Sequence, residues 1–398
     1  MIQKTGVLIL TFLLIFNMIQ PSFANSQSVI IEQRATIENR GAGADYFFRR
    51  NLPKVGMKSP YSTIKGLDII APDGYEKNIG REHERDLIGI SFYSDPGQNQ
   101  DVTLRIKASV SKKDWDLTRS NVEASPDYSH IDPSYLESTD HIQSDHPEVM
   151  RHAKSLSSSD HPYDITRAVY EDVVLNTNYL LSVGLDNANK GALWMLRHRA
   201  GVCHGYTSLM IGLLRAKGIP AREAIGYYMT PGFIEADSGE SMKLEAHSWP
   251  EVYLPPHGWV MFEPTISGNN PTEKMVDGVM TPVLEPLSRT PSYGFGSTHP
   301  RYYIKLDEEY YNSLMVIGGI VGNGDNADIS FNQKGSWGSF TSQSFQQENP
   351  FSVNDLPEGK ENEEAKTEKK EEKIDISFSV MDRVNKAIKT AFSNINTN

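Results

Sequence analysis

The stretch Arg199-Ala200-Gly201-Val202-Cys203-His204-Gly205-Tyr206 decides the fold at the centre of this chain and contains its only cysteine. Apolar residues follow at helical spacing, namely Tyr206, Leu209, Met210, Leu213 and Leu214. Gly218 then provides a left-handed stop, and Pro220 prevents the helix from continuing. The pattern predicts a buried helix with Cys203 in its first turn, where backbone N–H groups and the positive end of the helix dipole favour a thiolate.

The N-terminus carries the pattern of an export signal over residues 1–24. Lys4 gives a positive start, an apolar run follows over 6–16, and Ser22-Phe23-Ala24 is a small-residue cleavage site. The apolar run is shorter than the roughly 20 residues that span a bilayer, and no later stretch reaches that length. We therefore expect a secreted protein without a transmembrane segment, located outside the cell or at the cell wall.

A single cysteine in an exported protein has two interpretations. It is either a reactive thiol or a small buried hydrophobe. A structural cysteine more naturally lies in the middle of a helix on its apolar face, whereas Cys203 lies at a helix start. Gly201 and Gly205 on either side are expected to leave room for a substrate backbone. The position favours a nucleophile.

A thiol nucleophile needs a base, and the base needs an orienting group. Downstream, two strands with alternating apolar residues flank the turn at 255–257 and predict a hairpin. If the loop has three residues, His247 pairs with Thr265, and Glu263 becomes a diagonal neighbour of His247 on the same face. A loop of two or four residues would put Glu263 on the opposite face.

Four motifs resemble the bacterial transglutaminase-like family. They are Gly-Val-Cys-His-Gly-Tyr, Gly-Ile-Pro-Ala-Arg, His-Ser-Trp-Pro-Glu-Val-Tyr and Gly-Trp-Val-Met-Phe-Glu-Pro-Thr, spread over about residues 145–266. The resemblance implies a papain-like core with Cys203 as nucleophile, His247 as general base and acid, and Glu263 as third member. The family usually has aspartate at the last position. The extra methylene of glutamate requires the side chain to fold back or the strand to shift, and an inactive site is the alternative.

Other polar and aromatic residues near these motifs have a structural interpretation beside a functional one. His204 is expected at a pocket rim or in solvent, and Glu251 and His257 on the surface of the hairpin. Trp194 and Trp249 could wall a substrate channel, but packing is the expected role of large aromatics near a core. Five histidines cluster in a polar stretch without metal-site spacing, and we expect solvated helix starts there: His130, His141, His146, His152 and His161.

The short strands predict an N-terminal β-sandwich, and the resemblance implies that a transglutaminase-like, cysteine-proteinase-like core follows, with the nucleophile helix on an antiparallel sheet. The expected fold class is therefore mixed α+β. The expected divisions after the signal are a sandwich (25–124), a helical lead-in with the core (125–270), a C-terminal extension of the core (271–344), a disordered mixed-charge linker (345–373) and a short amphipathic helix (374–398).

The net charge of −12 and the absence of a basic stripe argue against nucleic acid as a partner. The expected partner is a protein or peptide substrate, including one at the cell surface, and no metal or other cofactor is expected. The motifs are compatible with cross-linking, deamidation and proteolysis through a thioester. The competing hypothesis is a non-catalytic secreted binding module with a degenerate core.

Overall fold

The computed structural model describes the following residues: 26–82, 85–179, 190–229, 241–242, 244–265, 273–276, 279–282, 294–299, 301–308, 319–322 and 327–337. The expected signal peptide, mixed-charge linker and C-terminal amphipathic helix lie outside these residues.

The N-terminal part consists of antiparallel strands with alternating buried residues, as their sequence pattern predicts. Their bounds are β1 (Gln27–Asn39), β2 (Ala44–Asn51), β3 (Ser62–Ile70), β4 (Glu76–Glu82), β5 (Arg85–Ser94) and β6 (Asn99–Val110). Strands β1, β6 and β3 belong to one sheet, and β2, β5 and β4 belong to another. Both sheets contribute to one hydrophobic cluster, including Ile31, Ile106 and Ile64 from the first and Phe48 and Ile90 from the second.

The same two sheets also contain strands from the far end of the described chain. Strand β16 (Gly319–Gly322) pairs with β2, and β17 (Ala327–Trp337) pairs with β1 from Val29↔Trp337 to Asn39↔Ala327. The range 271–344, expected to be a C-terminal extension of the core, thus also supplies strands to the N-terminal sheets. The pairing is long-range, so local sequence patterns do not reveal it. The intervening core is thus an insertion between strands of the N-terminal sheets.

The described residues of the central part begin with two single-turn 3₁₀ helices, Arg119–Asn121 and Pro133–Tyr135, and include four α-helices. These are α1 (Pro147–Leu156), α2 (Pro162–Asn176), α3 (Gly191–His198) and α4 (Cys203–Arg215). Both Ser-Asp-His-Pro tetrapeptides start a helix, with proline in the first turn. The histidine is the capping residue: the Nδ1 atoms of His146 and His161 accept the N–H groups of Glu148 and Tyr163 at 3.2 Å.

A four-stranded antiparallel sheet supports the helices, with strand order β12-β11-β9-β15. Its members are β9 (Ala221–Met229), β11 (Leu244–Tyr253), β12 (Trp259–Met261) and β15 (Tyr302–Glu308). Short strands complete the described structure: β7 (Asn178–Tyr179), β8 (Ala200–Gly201), β10 (Ser241–Met242), β13 (Glu273–Val276) and β14 (Val279–Pro282). Strand β8 ends just before α4, so its pairing with β7 helps to fix the approach to Cys203.

Strand β15 joins the core to the N-terminal sheets through alternating side chains. Tyr303 packs in the cluster formed by the helices, whereas Tyr302, Ile304 and Leu306 pack with the N-terminal strands. The protein is therefore a mixed α+β structure with N-terminal antiparallel sheets and a core of helices on a sheet. Among the described residues, no helix is long and apolar enough to cross a membrane.

Candidate active site

Cys203 lies at the first residue of α4, where the sequence predicts it. Val202 is the N-cap residue in extended conformation, and Gly205 N–H donates to its carbonyl at 2.9 Å. The helix ends at Arg215 and is followed by Gly218 with φ of 74°, the left-handed stop expected from the sequence. The Cys203 side chain is half-buried, although the rest of α4 is almost entirely buried. The thiol is therefore held by a rigid helix, at a residue that is less buried than the rest of the helix.

The hairpin of β11 and β12 has the three-residue loop required by the proposed triad. Its register pairs Glu251 with Met261 and Tyr253 with Trp259, and Leu254 N–H donates to the Gly258 carbonyl at 2.9 Å. The register continues past the strand end, because Phe262 N–H donates to the Pro250 carbonyl at 3.0 Å. The predicted alignment of the hairpin is confirmed.

This register brings Glu263 to His247. The Nε2 atom of His247 lies 2.9 Å from Oε2 of Glu263, and both residues are buried. The second carboxylate oxygen, Oε1, accepts the N–H of Thr265 at 3.1 Å, so the longer side chain folds back on its own backbone. Tyr303 donates its hydroxyl to Oε2 at 2.9 Å. The carboxylate is therefore fixed on both oxygens.

Three aromatic side chains surround the His247 imidazole. Tyr228 meets it edge-on with ring centroids 5.1 Å apart, and Trp249 stacks on it at 5.9 Å and 25°. Tyr303 lies at 6.4 Å. These contacts restrict the ring to the plane in which it hydrogen-bonds to Glu263 on one side and to the Cys203 thiol on the other.

The electrostatics of the site favour a thiolate and an imidazolium. Burial by itself would raise the pKa of the Cys203 thiol, but the hydrogen bond and charge of His247, the Ser248 backbone N–H and the charge of His204 together lower it. Burial opposes the charge on His247, yet the Glu263 carboxylate and Cys203 raise the pKa of the imidazole to about 10. Both shifts favour the ion pair of an activated cysteine.

Residues 151–264 match the sequence profile of the transglutaminase-like superfamily core, and this range includes Cys203, His247 and Glu263. The chain contains a transglutaminase-like core. The family resemblance expected from the four motifs is thereby confirmed.

Two bacterial relatives share sequence with the transglutaminase-like core. A segment of 84 residues is 40% identical to the uncharacterized protein YebA of Bacillus subtilis (strain 168) and covers 20% of this chain and 11% of that protein. A segment of 70 residues is 37% identical to a protein-glutamine gamma-glutamyltransferase of Pseudomonas aeruginosa and covers 17% of this chain and 10% of that enzyme. The matches thus span about a tenth of each relative's length.

Solved structures give weaker likenesses. A chain from Cytophaga hutchinsonii, described as a candidate cysteine protease, has a TM-score of 0.46 at 16% identity, with 79% of this chain and 98% of that chain covered. The periplasmic domain of TgpA from Pseudomonas aeruginosa has a TM-score of 0.30 at 17% identity, with 59% and 87% covered. At these scores the likeness does not establish a common fold over the whole chain.

Two buried glutamates of the transglutaminase-like core differ from what the sequence predicts. Glu251 was expected at the surface, and Glu223 was not singled out. Glu251 is fully buried rather than at the surface: it accepts from Tyr61 Oη at 2.6 Å, Arg222 Nε at 2.8 Å and Lys305 Nζ at 2.6 Å. Burial without such partners would be costly for a carboxylate. His204 is also buried and contacts Glu223, which the sequence did not single out, instead of lying at a rim or in solvent.

The glycines beside Cys203 have a packing role. A Cβ atom at Gly201 or Gly205 would lie 2.8 or 3.0 Å from the Met195 sulfur. The space expected for a substrate backbone is therefore occupied by Met195. His152 is also not a helix start, because it lies within α1 and contacts Asp172 at 2.8 Å.

The remaining candidates have structural roles. Trp249 is fully buried and donates its indole N–H to Tyr61 Oη at 2.8 Å, so it packs rather than walls a channel. Trp194 stacks on His198 with ring centroids 4.2 Å apart. His257 contacts the Asn121 carbonyl at 2.9 Å on the exposed hairpin turn, as expected.

Sequence reasoning missed the residues that hold the third member of the triad. Tyr303 lies 40 positions after Glu263 in a separate strand, and nothing in its local sequence indicates the contact. Tyr170 of α2 donates its hydroxyl to the Glu263 carbonyl at 3.2 Å, and Gly294 accepts the Glu263 N–H at 2.9 Å. These contacts come from three segments that only the fold brings together.

Proposed function

We propose that this protein is a secreted transglutaminase-like cysteine enzyme that acts on carboxamide or peptide bonds of extracellular proteins through a thioester. The observation that carries the proposal is the position of His247, which hydrogen-bonds to the Cys203 thiol and lies 2.9 Å from Glu263. A thiol, an imidazole and a carboxylate in this order are the arrangement required for nucleophilic acyl transfer.

The first half of the reaction forms the thioester. The Cys203 thiolate attacks the carbonyl carbon, and the carbonyl oxygen takes up the negative charge of the tetrahedral intermediate. The backbone N–H of Cys203, at the start of α4, is a natural donor to that oxygen. The intermediate collapses by breaking the C–N bond, and the His247 imidazolium gives its proton to the departing ammonia or amine.

The second half regenerates the enzyme. Water or a primary amine attacks the thioester carbon while neutral His247 accepts a proton from it. The C–S bond then breaks and returns the thiolate beside the imidazolium. Glu263 holds the ring orientation and stabilises its charge in both halves. Attack by water gives deamidation or proteolysis, and attack by a lysine amine gives a cross-link.

The name of the Pseudomonas aeruginosa relative supports glutamine as the acyl donor. The test uses a glutamine-containing protein substrate, with and without a dansylated primary amine, and follows ammonia release and amine incorporation together. Incorporation with ammonia release indicates cross-linking, whereas ammonia release alone indicates deamidation. Cleavage of the peptide chain, seen by mass spectrometry, indicates proteolysis.

Cys203→Ala is the matched control, because it removes only the sulfur. If the unmodified chain forms none of the three products with a panel of extracellular proteins, this result would instead support the hypothesis of a non-catalytic binding module. In that case the same substrates should bind equally well to the unmodified chain and to Cys203→Ala.

A further inference from the structure

Tyr61 joins the N-terminal sheets to the core behind the active site. It immediately precedes β3, and its carbonyl accepts the N–H of Ser111, the residue after β6, at 2.8 Å. Its side chain is 1% exposed and packs in the cluster formed by the core helices and their sheet. The neighbouring Ser62 hydroxyl accepts the Lys305 N–H of β15 at 3.1 Å. One part of the protein therefore fixes the backbone of Tyr61, and the side chain lies in the other part.

The Tyr61 hydroxyl has a fixed direction. It lies 2.6 Å from Oε1 of Glu251, and an ionised carboxylate only accepts, so the hydroxyl donates its proton there. Glu251 is itself held by Lys305 Nζ at 2.6 Å and Arg222 Nε at 2.8 Å. The lone pairs of the hydroxyl oxygen are left to accept the indole N–H of Trp249, at 2.8 Å. The position of this acceptor is thus determined by a buried charge cluster.

Trp249 connects this hydrogen bond to the catalytic imidazole. Its ring is fully buried and stacks on His247 with ring centroids 5.9 Å apart and 25° between the planes. A buried indole N–H is costly without an acceptor, so the bond to Tyr61 sets the tilt of the tryptophan ring. The Tyr61 ring also meets Tyr303, which donates to Glu263, edge-on at 6.5 Å. Tyr61 therefore contacts two of the aromatic residues that hold His247 and its carboxylate.

We propose that Tyr61 is a positioning residue for His247 and acts through the indole of Trp249. This inference rests on the proposed function, because it takes His247 as the base of Cys203. The hydrogen bonds of the Tyr61 hydroxyl go to Glu251 and Trp249, so its effect on the imidazole is indirect. A catalytic side chain keeps its geometry only when the residues around it are themselves fixed. The N-terminal sheets thus contribute to the support of the active site, which the core by itself does not complete.

Tyr61→Phe in the full chain tests the proposal, because it removes the hydroxyl and keeps the ring. With a glutamine peptide we expect kcat to fall about tenfold, since a small displacement of a catalytic group is sufficient for such a loss. KM should change by less than about twofold, because the hydroxyl bonds within the protein and not to the substrate.

A second readout needs no substrate, because iodoacetamide alkylation reports on Cys203, the single cysteine of the chain. The alkylation rate is measured from pH 5 to 10. In Tyr61→Phe we expect its inflection to rise by about half a pH unit or more, since a displaced imidazole stabilises the thiolate less.

Tyr227→Phe is the matched control. Tyr227 is fully buried on β9, and its hydroxyl contacts Gln33 of β1, so it also joins the N-terminal sheets to the core. Its side chain packs with the N-terminal strands, on the opposite face from the neighbouring Tyr228, which meets His247. Both variants lose a buried hydroxyl, but Tyr227→Phe should keep the kcat and the alkylation inflection of the unmodified chain.

Trp249→Phe tests the route, because it keeps a ring beside His247 but lacks the indole N–H. If Tyr61 acts through this N–H, the double variant should be no slower than Trp249→Phe by more than about twofold. Additive losses of log kcat would show that Tyr61 does not act through Trp249 and would overturn the proposal.

The alkylation inflection of a folded Tyr61→Phe protein is decisive: a value equal to that of the unmodified chain would overturn the proposal, whatever the change in kcat. Failure of the proposed function is distinguishable, since the unmodified chain would then form no product while the alkylation profiles still compare the variants. If Tyr61→Phe does not fold, NMR of the Trp249 indole N–H in the unmodified chain decides. Alkylation of Cys203 should shift this resonance, because the stacked His247 loses its thiolate partner, and an unshifted resonance would overturn the proposal.

Discussion

The Nε2 atom of His247 lies 2.9 Å from Oε2 of Glu263, although 16 positions separate the two residues in the chain. The three-residue hairpin loop makes them diagonal neighbours on one face of β11 and its partner strand. Glutamate fits where the family usually has aspartate because its other oxygen accepts the Thr265 N–H at 3.1 Å. The extra methylene is taken up within the side chain, and the strands keep their register.

Replacing Glu263 tests whether this charge supports the reaction. In Glu263→Gln the amide keeps the shape but not the charge that stabilises the imidazolium. We expect kcat to fall by about 10²–10⁴-fold. In Glu263→Asp the carboxylate retracts from Nε2, and we expect a smaller loss of roughly tenfold or more. Rates of ammonia release from a glutamine peptide provide the measurement. Equal rates in all three proteins would show that Glu263 has no part in the chemistry.

Cys203 should be chemically essential but structurally dispensable. Cys203→Ser should abolish activity, because its hydroxyl lacks the thiol's nucleophilicity and lowered pKa. Cys203→Ala should lower the free energy of unfolding by only about 1 kcal/mol, since the side chain is half-buried. Thermal and urea unfolding of both variants are compared with activity. Full activity in a folded Cys203→Ala protein would refute the nucleophile assignment.

The pH dependence of the reaction should follow the ion pair. The Cys203 thiol has a pKa below its ordinary value of 9.0, so activity should rise on the acid side before pH 9. The imidazolium of His247 loses its proton as the pH passes about 10, so activity should fall there. Initial rates from pH 5 to 11 should give a bell-shaped curve. A rise that begins only near pH 9 would contradict the stabilised thiolate.

Gly294 should be required both for stability and for activity. Its φ is 75°, and an added Cβ atom would lie 2.8 Å from Glu263 Cβ and 3.1 Å from Tyr170 Oη. Gly294→Ala should therefore displace Glu263 as well as strain the backbone, and activity should fall about tenfold or more. Gly74 is a matched control, with φ of 73° and no atom within 4 Å of the added Cβ.

In Gly74→Ala we expect only the backbone cost, about 1 kcal/mol of unfolding free energy, with activity unchanged. Gly294→Ala should lose stability by more than this. Thermal unfolding and ammonia release are measured on both proteins. Equal stability and equal activity of the two variants would show that the contacts of Gly294 with Glu263 contribute to neither property.

The buried Glu251 should make the free energy of unfolding decrease at acidic pH. Burial opposes its ionisation, but Lys305 and Arg222 lower its pKa to about 2, from an ordinary value of 4.5. Because the folded pKa is the lower one, the stabilisation is complete well above pH 4.5 and is lost as the pH falls towards 2. At pH 7, Glu251→Gln should cost about 3 kcal/mol or more, since it leaves buried cations without their carboxylate.

The difference in unfolding free energy between Glu251→Gln and the unmodified chain should decrease progressively as the pH falls from about 5 to 2. Urea unfolding at several pH values measures it. The nearby Glu245→Gln is a control, because Glu245 is only partly buried and should show a smaller effect at pH 7. A pH-independent difference for Glu251→Gln would contradict the assigned ionisation.

The local chemistry of the site was accessible from the sequence. The apolar spacing after Cys203 predicts a helix that begins near the cysteine, and Gly218 and Pro220 predict its end. The hairpin loop length fixes which residue faces His247, because side chains alternate between faces with a period of two. His247 and Glu263 were therefore predictable as neighbours, and the resemblance to the transglutaminase-like family added Cys203 to them.

Only the tertiary structure decided what surrounds these three residues. Tyr303 and Gly294 reach Glu263 from distant segments, Tyr61 reaches Trp249 and Glu251 from the N-terminal part, and β17 pairs with β1 across nearly the whole described chain. No local pattern encodes such contacts, since their formation depends on closing long loops whose ends carry no matching signal. The same reason explains Glu251 and His204: a charged side chain near a turn or helix start predicts solvent exposure, until a buried partner from another strand makes burial favourable.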